Sequence, residues 1–196
     1  MRPSLKWSAF LLGAVTLVAV VGTIPSSHGQ TQDKAPRPAS TRAEETLEMW
    51  NQIGNKLIAM AQDFPEDKYD FKVQKDQRTF AENILHVASF DYIVASKVSG
   101  SQVGPDFGKY GDNPPREAYK TKADVVNLMQ HAIADGARVI QQQGDAGLDK
   151  TNKDWGDKLR HNAYLWNSAI EHSAEHYGQL VVYYRANNLV PPDSRR

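Results

Sequence analysis

From Ser40 the apolar positions Ala43, Leu47, Trp50, Gly54, Leu57 and Ala61 recur at alternating steps of four and three, with Glu44, Glu45 and Glu48 between them. Residues at these steps share one face of an α-helix, so the stretch predicts an amphipathic helix with a solvated acidic side. It should stop before Phe64-Pro65, because proline restricts its predecessor and cannot extend the hydrogen-bond ladder. Thr79-Phe80-Ala81-Glu82 has the spacing of a capping box and opens a second helix to about Val98. Thr121-Lys122-Ala123-Asp124 has the form of another cap, followed by the stripe Val125, Leu128, Ala132, Gly136 and Val139 of a third helix. A fourth is expected to begin between Lys153 and Lys158 and to reach about Asn187. Its stripe is Leu165, Ala169, His172, His176, Gln179 and Tyr183. Asn188 can serve as a left-handed stop, and Pro191-Pro192 forbids continuation.

Between the second and third segments, Gly100, Gly104, Pro105, Gly108, Gly111, Pro114 and Pro115 mark a long connection without helical period. Such a length is unusual between bundle helices and could cross the bundle end or cover a site. A polar loop is expected around Gly144, Gly147 and Asp149. No alternating strand pattern competes, so the fold class is all-α, a four-helix bundle with a long connection between helices 2 and 3.

The N-terminus stands apart. Arg2 and Lys6 precede an apolar run from Ala9 to Gly22, and Ser27 and Gly29 suit cleavage before Gln30. This predicts a signal peptide over residues 1–29, and with it a periplasmic or secreted protein with no stable membrane span after cleavage. Uncleaved, the same run would be an N-terminal anchor. A flexible polar leader is expected over 30–40 and a single domain over 41–194. There is no cysteine, so thiolate ligands and disulfides are excluded. Removing the leader shifts the balance from 23 basic against 23 acidic residues to 21 basic against 23. So neutral a surface argues against nucleic acid as a partner.

Candidate chemistry rests on three histidines. His172 and His176 are four apart in Glu171-His172-Ser173-Ala174-Glu175-His176, and His86 lies in Asn83-Ile84-Leu85-His86-Val87-Ala88. Two imidazoles at i and i+4 can reach one ion while a third approaches from a neighbouring helix, and a buried imidazole at His86 would need polar partners. Three neutral nitrogen ligands leave a coordination position open, as catalytic zinc sites do. A lone i,i+4 pair also occurs on solvated faces by chance, and it is the addition of His86 that turns the pair into a metal site. Zinc or nickel fits best, and imidazole also suits copper or iron. Glu82, Glu175 and Gln179 are candidates to hold the imidazoles from behind, and Glu82, Glu175 and Tyr92 lie in the right segments for a general base. His131 falls on a polar flank, His28 in the leader, and His161 about 16 Å from His172 by helical rise, at packing or the mouth of a cavity. Trp50, Phe90, Trp166, Tyr177 and Tyr183 are expected in the core rather than around a ligand.

At these residues the chain resembles the DinB superfamily, the DinB/YfiT-like metalloenzymes. The resemblance runs from about Thr41 to Ser194. It is carried by Phe64-Pro65-Glu66-Asp67-Lys68-Tyr69-Asp70-Phe71, by Ile84-Leu85-His86-Val87-Ala88, and by Glu175-His176-Tyr177-Gly178-Gln179-Leu180-Val181-Val182-Tyr183-Tyr184-Arg185 with Val190-Pro191-Pro192. It implies a helical bundle whose metal ligands are His86, His172 and His176. Relatives include transferases that use the cytoplasmic thiols bacillithiol or mycothiol, a role at odds with an exported chain. Asn187-Asn188 stands where relatives often have glycine.

The expected function is an exported metal-dependent enzyme, a hydrolase or transferase, using the open position for Lewis-acid or metal-water chemistry on a small-molecule substrate. The alternative is an exported bundle that binds or senses a metal or small ligand without turnover. Vestigial histidines in a purely structural bundle are the third reading. A homodimer through an outer helix face is compatible with the pattern.

Overall fold

The computed structural model describes residues 39–195, so the expected signal peptide and all but the last residues of the expected leader lie outside the described residues. Four helices make the bundle: α1 Arg42–Asp63, α2 Phe80–Ser99, α3 Lys122–Leu148 and α4 Asn162–Ala186. Each of the first three starts on a threonine whose hydroxyl accepts from the backbone three residues on, while the acid at that position accepts from the threonine's own N–H: Thr41 with Glu44, Thr79 with Glu82, Thr121 with Asp124. These reciprocal caps satisfy donors that a helix start otherwise leaves unpaired.

α1 ends at Phe64, whose extended backbone before Pro65 turns the chain. Phe64 is fully buried and stacks on Phe80 at 3.9 Å, so the break also seats the start of α2. α2 ends on Gly100, in the left-handed conformation at φ 74°.

α3 packs along α1 and α2, and α4 packs against the other sides of the same two helices, so α1 and α2 face each other across the core. α1 runs antiparallel to α3, with Arg42 at its start paired at 2.9 Å with Asp149 just beyond the end of α3. α2 is the central element: fourteen of its twenty residues are buried, including Asn83, His86, Ser89 and Asp91. Small residues bring α1 and α3 together. A Cβ on Gly136 would lie 2.3 Å from Trp50, and Trp50 donates its indole N–H to the Ile133 carbonyl at 2.9 Å. Asn188 is left-handed at φ 57°, the stop expected of it.

Two expectations need correction. The polar loop around Gly144, Gly147 and Asp149 is instead a kink: Gly144 takes φ 56°, ψ −162°, and helix then resumes to a buried Leu148. α4 starts at Asn162, later than expected, because residues 151–161 form a β-hairpin of β1 Thr151–Lys153 and β2 Leu159–His161. Its antiparallel register pairs Asn152 with Arg160. Asp154 shapes the turn by accepting from the N–H groups of Gly156 and Lys158, both at 2.9 Å. Three-residue polar strands with only their middle residue half-buried carry no apolar alternation, which is why no strand was expected. Among the described residues no helix is long and apolar enough to cross a membrane.

Candidate metal centre

α2 and α4 carry the three histidines to one point. His86 and His176 are buried and His172 is half-buried, and one ligand atom from each lies within 4.8 Å of the others. The ring centroids are 4.8, 4.8 and 4.6 Å apart. His172 and His176 are one turn apart on α4, and His86 meets them from α2, as the spacing predicts.

Hydrogen bonds fix which nitrogens are free. His86 Nδ1 donates to the Asp112 carbonyl at 2.7 Å, and a carbonyl can only accept, so Nε2 keeps its lone pair. Asn83 donates through Nδ2 to the Thr79 carbonyl at 3.0 Å and to the Tyr183 hydroxyl at 3.1 Å, which fixes its amide orientation. Its Oδ1 therefore accepts from His176 Nδ1 at 3.0 Å, and the Nε2 of His176 is free as well. His172 Nε2 lies 3.0 Å from His86 Nε2, and its Nδ1 is buried without a partner.

All three imidazoles are held neutral. Burial, followed by the neighbouring imidazoles, pushes His172 down to about 4 and His176 to about 3, and burial also lowers His86. The donor set fits a cation. Nitrogens about 2.0–2.1 Å from a tetrahedral zinc stand about 3.3 Å apart, close to the 3.0 Å between the Nε2 atoms of His86 and His172. In the absence of a cation that contact requires a proton on His172 Nε2, which strips His172 Nδ1 of its donor in a buried place with nothing to accept from. An ion held on the Nε2 side lets Nδ1 keep its hydrogen, although Nδ1 remains without a partner.

The sequence-predicted supporting residues lie elsewhere. Glu82 is committed to the cap of α2, accepting from Thr79 N–H at 2.6 Å. Glu175 and Gln179 are exposed. Tyr92 is buried against Gly104 and Phe107, and His161 is exposed before α4, with Nδ1 donating to the Asp149 carbonyl at 3.0 Å. His131 is exposed, as expected. The residues that orient the imidazoles are Asn83 and Asp112, neither singled out from sequence. Asn83 had a signal: an amide in an apolar run, one turn before His86. Asp112 had none, since only the folded path of the 100–115 connection brings it to His86. That connection touches the site at the Asp112 carbonyl.

Two aromatics expected in the core belong to the site as well. Phe90 lies over His172 with centroids 4.3 Å apart, and Trp155 of the hairpin lies over Phe90 at 5.1 Å. Tyr183 joins Asn83 to the backbone, donating its hydroxyl to the Arg78 carbonyl.

The family model for the DinB superfamily matches residues 32–180. The chain belongs to the DinB superfamily. Two solved DinB-like proteins share its fold. One from Bacillus cereus ATCC 10987 is 16% identical with a TM-score of 0.62, over 76% of this chain and 95% of that one. YjoA from Bacillus subtilis is 17% identical with a TM-score of 0.60, over 78% of this chain and 99% of that one. No curated protein matches the sequence. In this DinB-superfamily chain the three histidines form a group that could hold a metal ion, and all three sit within the matched span.

Proposed function

We propose that this DinB-superfamily protein is an exported metal-dependent enzyme that acts on a small molecule, with His86, His172 and His176 holding one divalent ion, zinc or nickel. The observation that carries the reading is the pair of hydrogen bonds that occupy Nδ1 of His86 and of His176 and leave each Nε2 its lone pair, in rings centred 4.8 and 4.6 Å from that of His172. When bound, an ion on three neutral imidazoles supplies Lewis acidity, enough to polarise a carbonyl or lower the pKa of water from 15.7 to about 7. The chain's own part is to hold that geometry. The Asp112 carbonyl and the Asn83 amide keep a proton on each Nδ1, and such outer partners set ring orientation and ligand basicity. Phe90 and Trp155 shield the His172 side from water.

Binding without turnover is favoured by one observation: Glu82 and Glu175, the candidate bases, are turned to a cap and to solvent. Turnover of any hydrolysable ester or amide by the metal-loaded protein, lost with the metal, separates the two readings. Export rests on the apolar run from Ala9 to Gly22 after Arg2 and Lys6.

The test is elemental mass spectrometry on untagged protein recovered from the exported fraction, with its N-terminus mapped by intact mass. About one equivalent of metal is expected in the wild type and none in His86→Ala or His176→Ala, with an N-terminus at Gln30. Full metal content in either variant removes the site, and a full-length cytoplasmic product removes export.

A further inference from the structure

Beside the triad, a cavity of about 540 Å³ is lined by Val73, Gln77, Arg78, Asn83, Gln179 and Tyr183, with Asp76 and Val182 completing the wall. Its volume is in the range of small-molecule sites. Its wall includes Asn83, whose amide oxygen holds His176, so one side chain separates the cavity from the triad. An adjoining cleft of about 380 Å³ shares Arg78 and adds Lys72 and Asn113.

Arg78 is unusual in its partners. Among the described residues Arg42, Arg116, Arg138, Arg160 and Arg195 each pair with a carboxylate, and Arg185 is exposed on α4. The Arg78 side chain is half-buried and meets only a neutral group, the Asn113 amide oxygen, at 3.2 Å from Nε and 2.7 Å from Nη2. A guanidinium has five N–H donors and is charged throughout the ordinary pH range, so donors remain for a further acceptor. Three acids line the adjoining cleft with it, Asp76, Glu82 and Glu117, and among the described residues none forms an ion pair with it: Glu82 accepts from the Thr79 N–H, and Asp76 and Glu117 are exposed.

The backbone ties Arg78 to the triad from two directions. Its side chain holds Asn113, next to Asp112, whose carbonyl holds His86. Its own carbonyl accepts from Tyr183, whose hydroxyl accepts from Asn83, which holds His176.

We infer that this cavity binds the anionic end of the substrate, with the Arg78 guanidinium pairing with a carboxylate or phosphate one wall residue, Asn83, away from the triad. The inference rests on the triad being the reactive centre. A fixed guanidinium fork matches either oxyanion and gives a charge-assisted contact stronger than a neutral one.

Calorimetric titration with acetate, succinate and inorganic phosphate tests this, on zinc-loaded and metal-free protein alike. Saturable binding is expected in both forms, with the carboxylates and the phosphate telling the two oxyanions apart. Arg78→Gln, whose amide can still donate to Asn113, should weaken binding about tenfold or more at unchanged zinc content, and Arg78→Lys should restore part of it. Wild-type affinity in Arg78→Gln, no restoration by Arg78→Lys, or no saturable binding of any of the three anions to the wild type overturns the inference. Failure of the metal reading is seen separately, as absence of zinc uptake, while the metal-free titration still reads Arg78.

Discussion

Asn83 spends its whole amide inside the bundle: two hydrogens go to the Thr79 carbonyl and the Tyr183 hydroxyl, and the oxygen takes the proton of His176. A residue so committed fixes both a tautomer and a ring angle. Replacing it should therefore affect metal more than fold. Asn83→Ala is expected to lower zinc affinity about ten- to a hundredfold, the range for partners one shell behind a ligand, read by competition with a chromogenic chelator; unchanged affinity would show that His176 needs no holder. Asp91, five residues beyond His86 on α2, poses a different problem. It is fully buried, its Oδ1 takes a long 3.4 Å hydrogen bond from the Ser173 hydroxyl, and its Oδ2 has no partner. Burial raises its pKa well above the usual carboxylate range. Between the unfolded value of about 3.9 and the raised folded value, the native chain keeps a proton that the unfolded chain has lost. Stability is thus reduced progressively as pH rises through that window. Asp91→Asn removes the titration, so the variant should gain on the wild type between pH 4 and pH 8 in urea unfolding. A gap independent of pH would show that Asp91 is ionised in the native state.

At the scale of elements, the sequence was most legible where local chemistry decides. The threonine caps of α2 and α3 and the Phe64-Pro65 stop of α1 are written in adjacent residues, and each boundary falls where they place it. The hairpin and the kink were not legible, for two reasons. The hairpin depends on Asp154 collecting backbone donors across a turn, and on Asn162 bridging Asn152 at 2.8 Å and the Gly147 carbonyl at 2.8 Å, none of which alters hydrophobic period. Gly144 reads as a breaker, yet the apolar Leu148 beyond it is buried and draws the helix on. Close packing leaves a clearer signature: Gly136 sits on the α3 stripe because Trp50 fills the space a side chain would need. Gly136→Ala gains helix propensity of up to about 1 kcal/mol but overpacks the α1–α3 contact at about 1–3 kcal/mol. A net loss of stability in thermal unfolding is the expected result; a more stable variant would mean that Trp50 yields without strain.

For the whole molecule, the site was legible as a ligand set and illegible as an environment. A histidine pair at one helical turn and a lone histidine in an apolar run are visible in a string of letters, and α2 and α4 bring them together. Two features that make the centre more than three histidines come from far along the chain, Asp112 of the long connection and Trp155 of the hairpin, whereas Phe90 stands one turn after His86 on α2. Sequence separation hides such neighbours, since no local period encodes them. The tilted contacts of Trp155 with Phe90 and of Phe90 with His172 have a further consequence. Trp50 and Trp166 are buried together in a T-shaped pair, whereas Trp155 is half exposed and two ring contacts from the metal position. Its indole is a fluorophore within energy-transfer reach of any ion with absorbing d electrons. Copper or cobalt entering the triad should dim its emission, zinc should not, and Trp155→Phe should remove most of the response; an undiminished response in that variant would assign it to Trp166, about 9 Å from His172 by helical rise on α4. With a metal held at the triad as proposed, Trp155 would serve as an optical gauge of which ion had entered.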